Sequence, residues 1–286
     1  MKNFLSMCSD KEVQSLALGK FDGMHLAHKE LFKHLDKKGA LLCIEGKFDD
    51  MCLTPSKEQY SPCALIYVAF EEISHWSGEK FITILKEKFP SLKRLVVGYD
   101  FHFGKNRAFS ASDLCHLFAG EVVIMPEYRI NGVGVHSSLI KEFIRYGDMD
   151  MAVAMLGRYY HLQGTIIKGQ NLGSKRLYPT INIQTRGYVI PQEGVYASFT
   201  KVNEKIMPSV CFVGHRLSTD RHFSIESHIL DKEIVCESDM ASICFVRKIR
   251  DNQSFSDLNL LKERITQDII TSKVILSAAQ MIYVDM

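Results

Sequence analysis

The sequence predicts an α/β domain with a parallel sheet, followed by an all-β domain and a C-terminal helix. Three observations carry that expectation. Strand-like and helix-like runs alternate through the first half, the pattern of a parallel sheet with helices on its faces. After about Arg158 the texture changes to short β-rich runs separated by turn residues, as in an antiparallel barrel or sandwich. The length, 286 residues, suits two cores of ordinary size rather than one.

In order, SLALG reads as a short buried strand and AHKELFKHLDKK as an amphipathic helix with a basic end. ALLCIEG and ALIYVAF are strands, GEKFITILKEKF a helix, and KRLVVG a strand. SASDLCHLFAG has the serine start and glycine stop of a helix, and EVVIMP is again a strand. Two helical runs follow, SSLIKEFIRYG and DMDMAVAMLG. The second half offers YYHLQGTIIKG, PTINIQT, GVYASFTKV, MPSVCFVG, HFSIESHIL and ASICFVRKI as strands. SDLNLLKERITQDIITSK has apolar residues at helical spacing and closes the chain as a helix. The expected domains are residues 1–157 and 158–286.

Hydrophobic residues make up 46% and charged residues 24%, the balance of a soluble globular chain. A net charge of +2 gives no electrostatic case for nucleic acid or a membrane as partner. The eight cysteines form no CxxC pair, which argues against structural zinc, and a chain this long needs no disulfide framework. They read as reduced thiols of a cytoplasmic protein. The start, MKNFLSMCSDKEV, lacks the apolar stretch of a signal peptide, and no run approaches the ~18 apolar residues of a membrane span.

GKFDGMHLAH, at the end of the first strand, is where chemistry is expected. Ligands of α/β sheets bind beyond the carboxyl ends of the strands. Gly19 and Gly23 let backbone approach a ligand, and the helix that follows favours phosphate. His25 and His28, three apart, can share a helix face and donate to phosphate oxygens as charge builds. The HxxH spacing alone equally suits a surface pair or a metal site. No Walker loop competes, because GYDFHFGK has five residues between its glycines rather than four. GVGVHS begins like a dinucleotide fingerprint but ends in serine before a helix, where Ser137 and Ser138 could serve phosphate or simply cap.

These segments together resemble a known family. GKFDGMHLAH resembles the GxFDGxHxGH motif of Rossmann-like nucleotidylyltransferases. VVGYDFHFGKNR and VHSSLIK resemble the VVGxDFxFGxxR and ISSTxIR segments of bacterial bifunctional riboflavin kinase/FMN adenylyltransferases. GQNLGSKRLYPTINI resembles that family's kinase glycine loop and PTAN motif. EGVYA, IESHILD and FVRKIRDNQSF resemble its GVYA, VExHxLD and FxxxLRxExKF segments. The resemblance runs in order along nearly the whole chain.

It implies a nucleotidylyltransferase domain of Rossmann-like fold, then a riboflavin kinase barrel with a C-terminal helix. The barrel would phosphorylate riboflavin with ATP to FMN, and the first domain would transfer AMP to FMN, giving FAD and pyrophosphate, both with Mg²⁺. The resemblance puts His25 and His28 against the ATP phosphates, with Gly19, Phe21, Asp22 and Gly23 shaping the nucleotide pocket. Ser137 and Ser138 would donate to phosphates, and Lys141 would neutralise the leaving pyrophosphate. Gly98, Asp100 and Phe103 would lie beside the nucleotide or flavin, although Phe103 also suits a core. In the kinase, Gly169 and Gly173 would close over phosphates, Thr180 and Asn182 would bind Mg²⁺ and phosphate, and Glu226 would take the proton of the riboflavin 5′-hydroxyl. From its alternating strand alone, Glu226 reads as a solvated face residue.

The chain departs from the family pattern in places. Ala27 stands for a glycine, Lys20 for an asparagine, and Lys141 for an arginine, losing its bidentate fork. The FEPHP segment is replaced by IEGKFDD, PTAN reads PTIN, and NIGxRPT reads FVGHRLS. Ser174 and Leu177 stand where arginine and glycine are usual in the kinase loop. The alternatives are an enzyme that keeps one activity, or a flavin-binding protein without catalysis.

Overall fold

The structure is a computed structural model that describes residues 2–46, 51–168, 178–218, 220–231 and 237–279. Its contacts divide it into two compact units, Met1–Ser137 and Ser138–Met286.

The first unit is built on a parallel sheet. Its strands are β1 (Lys2–Asn3), β2 (Ser15–Gly19), β3 (Gly39–Glu45), β4 (Ala64–Ala69), β5 (Arg94–Gly98) and, later, β8 (Glu121–Met125). Helices α1 (Leu26–Phe32), α2 (Phe70–Ile73), α3 (Gly78–Lys88) and α4 (Leu114–Leu117) connect them. The order across the sheet is β1-β4-β3-β2-β5-β8, all parallel. The chain lays β1 at the edge beside β4, enters the centre with β2, builds outward through β3 and β4, and returns to the other side of β2 with β5. That reversal opens a crevice at the carboxyl ends of β2 and β5, the place where such sheets take ligands.

Strand alternation explains why these runs are apolar throughout. Leu16, Leu18, Ala40, Leu42, Ile66, Val68, Leu95 and Val97 face one core with Phe81, Ile82 and Leu85 of α3. Ala17, Leu41, Cys43, Tyr67 and Val96 face the other, with Leu31 and Phe32 of α1. A strand buried on both faces has no polar side to show.

Two small hairpins complete the unit among the described residues. One pairs β6 (His102–Phe103) with β7 (Phe109–Ser110), the other β9 (Arg129–Ile130) with β10 (Val133–Gly134). The second turns on Asn131 and Gly132, both at positive φ, as a two-residue hairpin turn requires.

The second unit opens with α5 (Ser137–Tyr146) and α6 (Met149–Leu156), the latter capped by Asp148 and ended by Gly157 at φ 70°. By contact, these helices group with the β-rich part, so the division falls ahead of the change in sequence texture. Six strands follow: β11 (Tyr160–Ile167), β12 (Ile181–Gln184), β13 (Gly194–Val202), β14 (Lys205–His215), β15 (Phe223–Ile229) and β16 (Met240–Asp251). They close into an antiparallel barrel in the order β11-β12-β15-β14-β13-β16. The fold is thus a barrel, not a sandwich.

Alternate residues of β13 do different work. Val195, Ala197 and Phe199 pack with Leu276 of the last helix, α7 (Leu258–Ser277). Ser198 and Thr200, on the opposite face, join Ser209 and Ser227 in a buried chain of hydroxyl bonds at 2.6–2.9 Å. Each buried hydroxyl thereby finds the hydrogen-bond partner that burial demands. A buried pair, Arg250 with Asp268, fixes α7 to β16 through three N–H···O bonds of 2.7–3.0 Å.

Candidate active site

At the carboxyl end of β2 the backbone is strained. Phe21, Gly23 and Met24 have φ of 51°, 80° and 42°. Such conformations persist where the surroundings over-determine them, and they cluster at functional loops. A side chain at Gly23 would put its Cβ 2.6 Å from Leu53 Cδ1. Leu53 is in turn tied to the loop, its N–H donating to Asp22 Oδ1 at 2.7 Å.

The loop holds the two histidines together. Their rings stack with centroids 3.6 Å apart, and Phe21 meets His28 edge-on at 5.3 Å. His25 is 3% exposed and stands at the N-cap of α1. Its Nε2 lies 3.2 Å from Ser137 Oγ, while that hydroxyl donates to the Asp22 carbonyl at 2.8 Å. Serine has one proton to give. His25 Nε2 is therefore the donor to Ser137, which fixes the tautomer of the ring. Ser137 is a bridge between the histidine and the loop rather than a simple helix cap.

Gly98 ends β5 across the crevice, and a Cβ there would lie 3.0 Å from Asp100 Oδ1. Gly19, Phe21, Asp22, Gly23, His25, His28, Gly98, Asp100 and Ser137 thus belong to the ends of β2 and β5 or touch them. Phe103 does not join them. It is 7% exposed and packs against Phe81, Phe101 and Phe109 at 5.4–5.9 Å, in the core. Ser138 is exposed and Lys141 half-buried on the first turns of α5.

At the end of β3, where the IEGKFDD segment begins, Glu45 pairs with Lys57 at 3.3 Å. Lys57 is 7% exposed, and its ammonium lies 5.7 Å from the centre of the Tyr67 ring. Nothing in the local sequence pattern marked that lysine. Burial pushes the Cys43 and Cys63 thiols up to about 12 and about 11, so both are inert as nucleophiles.

The barrel carries the second cluster. β12 and β15 pair so that Asn182 lies opposite Glu226. Asn182 Nδ2 donates to Thr180 Oγ1 at 3.2 Å, and the Thr180 hydroxyl donates to Glu226 Oε2 at 3.4 Å. Thr180, Asn182 and Glu226, 46 positions apart at the extremes, thus come together. Ser224 Oγ donates to Glu226 Oε1 at 2.8 Å, and Arg216 Nη1 lies 3.5 Å from the same oxygen. Sequence reading missed both. Ser224 was legible from strand period, two residues before Glu226 on the same face; Arg216 had no local signal. A cleft of about 460 Å³ opens here, lined by Asn182, Ile183, Arg216, Phe223, Ser224 and others. Gly169 and Gly173 lie outside the described residues, as do Ser174 and Leu177.

Residues 156–276 match the riboflavin kinase family, Flavokinase. Curated relatives span both units. A bifunctional riboflavin kinase/FMN adenylyltransferase of Buchnera aphidicola subsp. Acyrthosiphon pisum is 28% identical, covering 94% of this chain and 96% of its own. Its counterpart in Escherichia coli K12 is 26% identical over 90% and 91%. Over nearly its whole length the chain is thus similar to bifunctional riboflavin kinase/FMN adenylyltransferases, and its barrel region matches the riboflavin kinase family. The fold also matches a crystal structure described as a macrolide-efflux protein from Streptococcus pneumoniae, with TM-score 0.84 over 96% of this chain. At 22% identity, that likeness speaks for the fold alone.

Proposed function

We propose that this bifunctional enzyme makes FMN from riboflavin and ATP in its barrel and FAD from FMN and ATP at its parallel sheet. We assign the two reactions to residues 158–286 and 1–157. The observation that carries the reading is the meeting of Thr180, Asn182 and Glu226 beside a cleft, in the part of the chain that matches Flavokinase.

In the kinase reaction Glu226 takes the proton of the riboflavin 5′-hydroxyl as that oxygen attacks the γ-phosphorus of ATP. Thr180 and Asn182 would hold Mg²⁺. Their hydroxyl and amide oxygens, with a carboxylate alongside, are the hard donors that ion prefers. Among the described residues no group of three or more His, Cys, Asp or Glu forms a metal cage. Mg²⁺ does not need one, because it keeps water and binds substrate phosphates. When bound, it would supply charge neutralisation on those phosphates.

In the adenylyl transfer, FMN phosphate is already an anionic nucleophile, so no strong base is needed. His25 and His28 at the β2 crevice stabilise charge on the ATP phosphates, and Lys141 neutralises the leaving pyrophosphate. Gly98 and Asp100 border the nucleotide. We place the protein in the cytoplasm, with small molecules as its partners. Among the described residues no helix is long and apolar enough to cross a membrane.

Chromatography of two reactions with ATP and Mg²⁺, one given riboflavin and one FMN, tests the reading. The expected products are FMN then FAD from the first and FAD from the second. Glu226→Gln should lower FMN formation by about 10²- to 10⁴-fold and spare FAD formation from FMN. His28→Ala should do the reverse. Full-rate FMN formation by Glu226→Gln would remove the base role, and undiminished FAD synthesis by His28→Ala would remove the phosphate role.

A further inference from the structure

The partners of Glu226 divide between its two oxygens. Oε1 accepts from Ser224 at 2.8 Å and faces Arg216 Nη1 at 3.5 Å. Oε2 accepts from Thr180 at 3.4 Å. A carboxylate oxygen offers about two lone-pair sites. By that count, among the described residues, Oε1 is filled and Oε2 is not.

The two donors on Oε1 are themselves fixed. Ser224 and Glu226 are on the same face of β15, set by register against Gly214 and Phe212 of β14. Arg216 is held on its other edge by Asp220, which accepts from Nε at 2.9 Å and from Nη2 at 2.8 Å. Its backbone is anchored from both sides. The Arg216 N–H donates to the His222 carbonyl at 3.0 Å. The preceding His215 donates its N–H to Glu193 Oε2 at 3.1 Å, and Asn252 donates to the His215 carbonyl at 2.8 Å.

We propose that Ser224 and Arg216 are positioning residues for the kinase reaction, pinning Glu226 through Oε1 and leaving Oε2 to receive the proton of the attacking hydroxyl. The inference rests on the base role given to Glu226 above. A carboxylate turns easily about its last torsion, so an unpinned Glu226 does not hold one oxygen on the substrate. In the step itself, the substrate O–H bond breaks as the bond to Oε2 forms. The freed electron pair makes the new bond to the γ-phosphorus, and ADP leaves with the pair of the broken P–O bond.

The test is steady-state FMN formation by the full-length chain with riboflavin and ATP varied in turn. Ser224→Ala should lower kcat about 10- to 100-fold, with KM for either substrate changed by no more than about twofold. Ser224→Thr, which keeps a hydroxyl at the same Cβ, should restore most of the rate. Arg216→Lys, which keeps the charge but loses the fork, should also act on kcat. On the residual rate of Glu226→Gln, Ser224→Ala should add little, because the base it positions has gone. A urea midpoint of the barrel close to that of the unaltered chain reports that each variant is folded. Wild-type kcat in Ser224→Ala beside a disabled Glu226→Gln would overturn the inference and leave the base role standing. So would a Ser224→Ala loss that adds in full to that of Glu226→Gln. A Glu226→Gln chain at full rate would instead bring down the base role itself.

Discussion

The single proton of the Ser137 hydroxyl shows how much one residue can organise. It goes to the Asp22 carbonyl, and the oxygen then accepts from His25. Ser137→Ala removes both links at once, next to a ring that is 3% exposed. The expected cost is about 1–3 kcal/mol of stability. A denaturant midpoint measured on the full chain reads that cost. FAD formation from FMN should fall, because His25 loses its anchor, and FMN formation should not. Unchanged FAD synthesis would show that the bridge is dispensable. The sequence placed Ser137 near phosphate or at a cap, but its partner is 112 residues away, so no local pattern could announce the bridge. His25, His28 and Glu226 were legible because a motif carries its own spacing. Phe103 was ambiguous for the opposite reason: the aromatic type that lines a pocket is the type that fills a core.

At the level of elements, the central strands were plain to read because burial on both faces makes them continuously apolar. The helix expected over residues 27–38 stops at Phe32. The chain must turn there to enter β3, and the Asp36 N–H is taken by Ser15 Oγ at 3.0 Å rather than by a helical carbonyl. Two-residue strands such as β6 and β9 have no period to detect. One strand also carries a pH dependence. Burial, with Arg158 adding to it, pushes His161 of β11 down to about 4, against 6.5 for the ordinary side chain. Between those values the unfolded chain binds a proton that the folded barrel refuses. Stability therefore rises with pH across that window, is fully present above about 6.5, and is lost as pH falls towards 4. The whole effect is about 3 kcal/mol. Urea unfolding of the barrel should have a clearly lower midpoint at pH 5 than at pH 7, and His161→Gln should flatten that difference. An equal pH response in the variant would assign it to other groups.

Across the whole molecule, the two units differ in class and have separate cores, one on either face of a sheet and one between a barrel and its helix. The groups of the β2 crevice, Ser138 and Lys141 of α5 apart, and those of the barrel cleft fall in different units and so stand largely independent of each other. That independence bears on FMN, the product of one reaction and the substrate of the other. Two crippled chains can test it. Glu226→Gln should keep adenylyl transfer and His28→Ala should keep the kinase, so neither makes FAD from riboflavin alone. Mixed with riboflavin, ATP and Mg²⁺, they should make FAD after a lag in which FMN accumulates, because FMN released by one chain is captured by the other. The lag should shorten as the Glu226→Gln chain is raised in excess. FMN that builds up without conversion, while each variant still performs its remaining step on added substrate, would mean that FMN passes only within a chain.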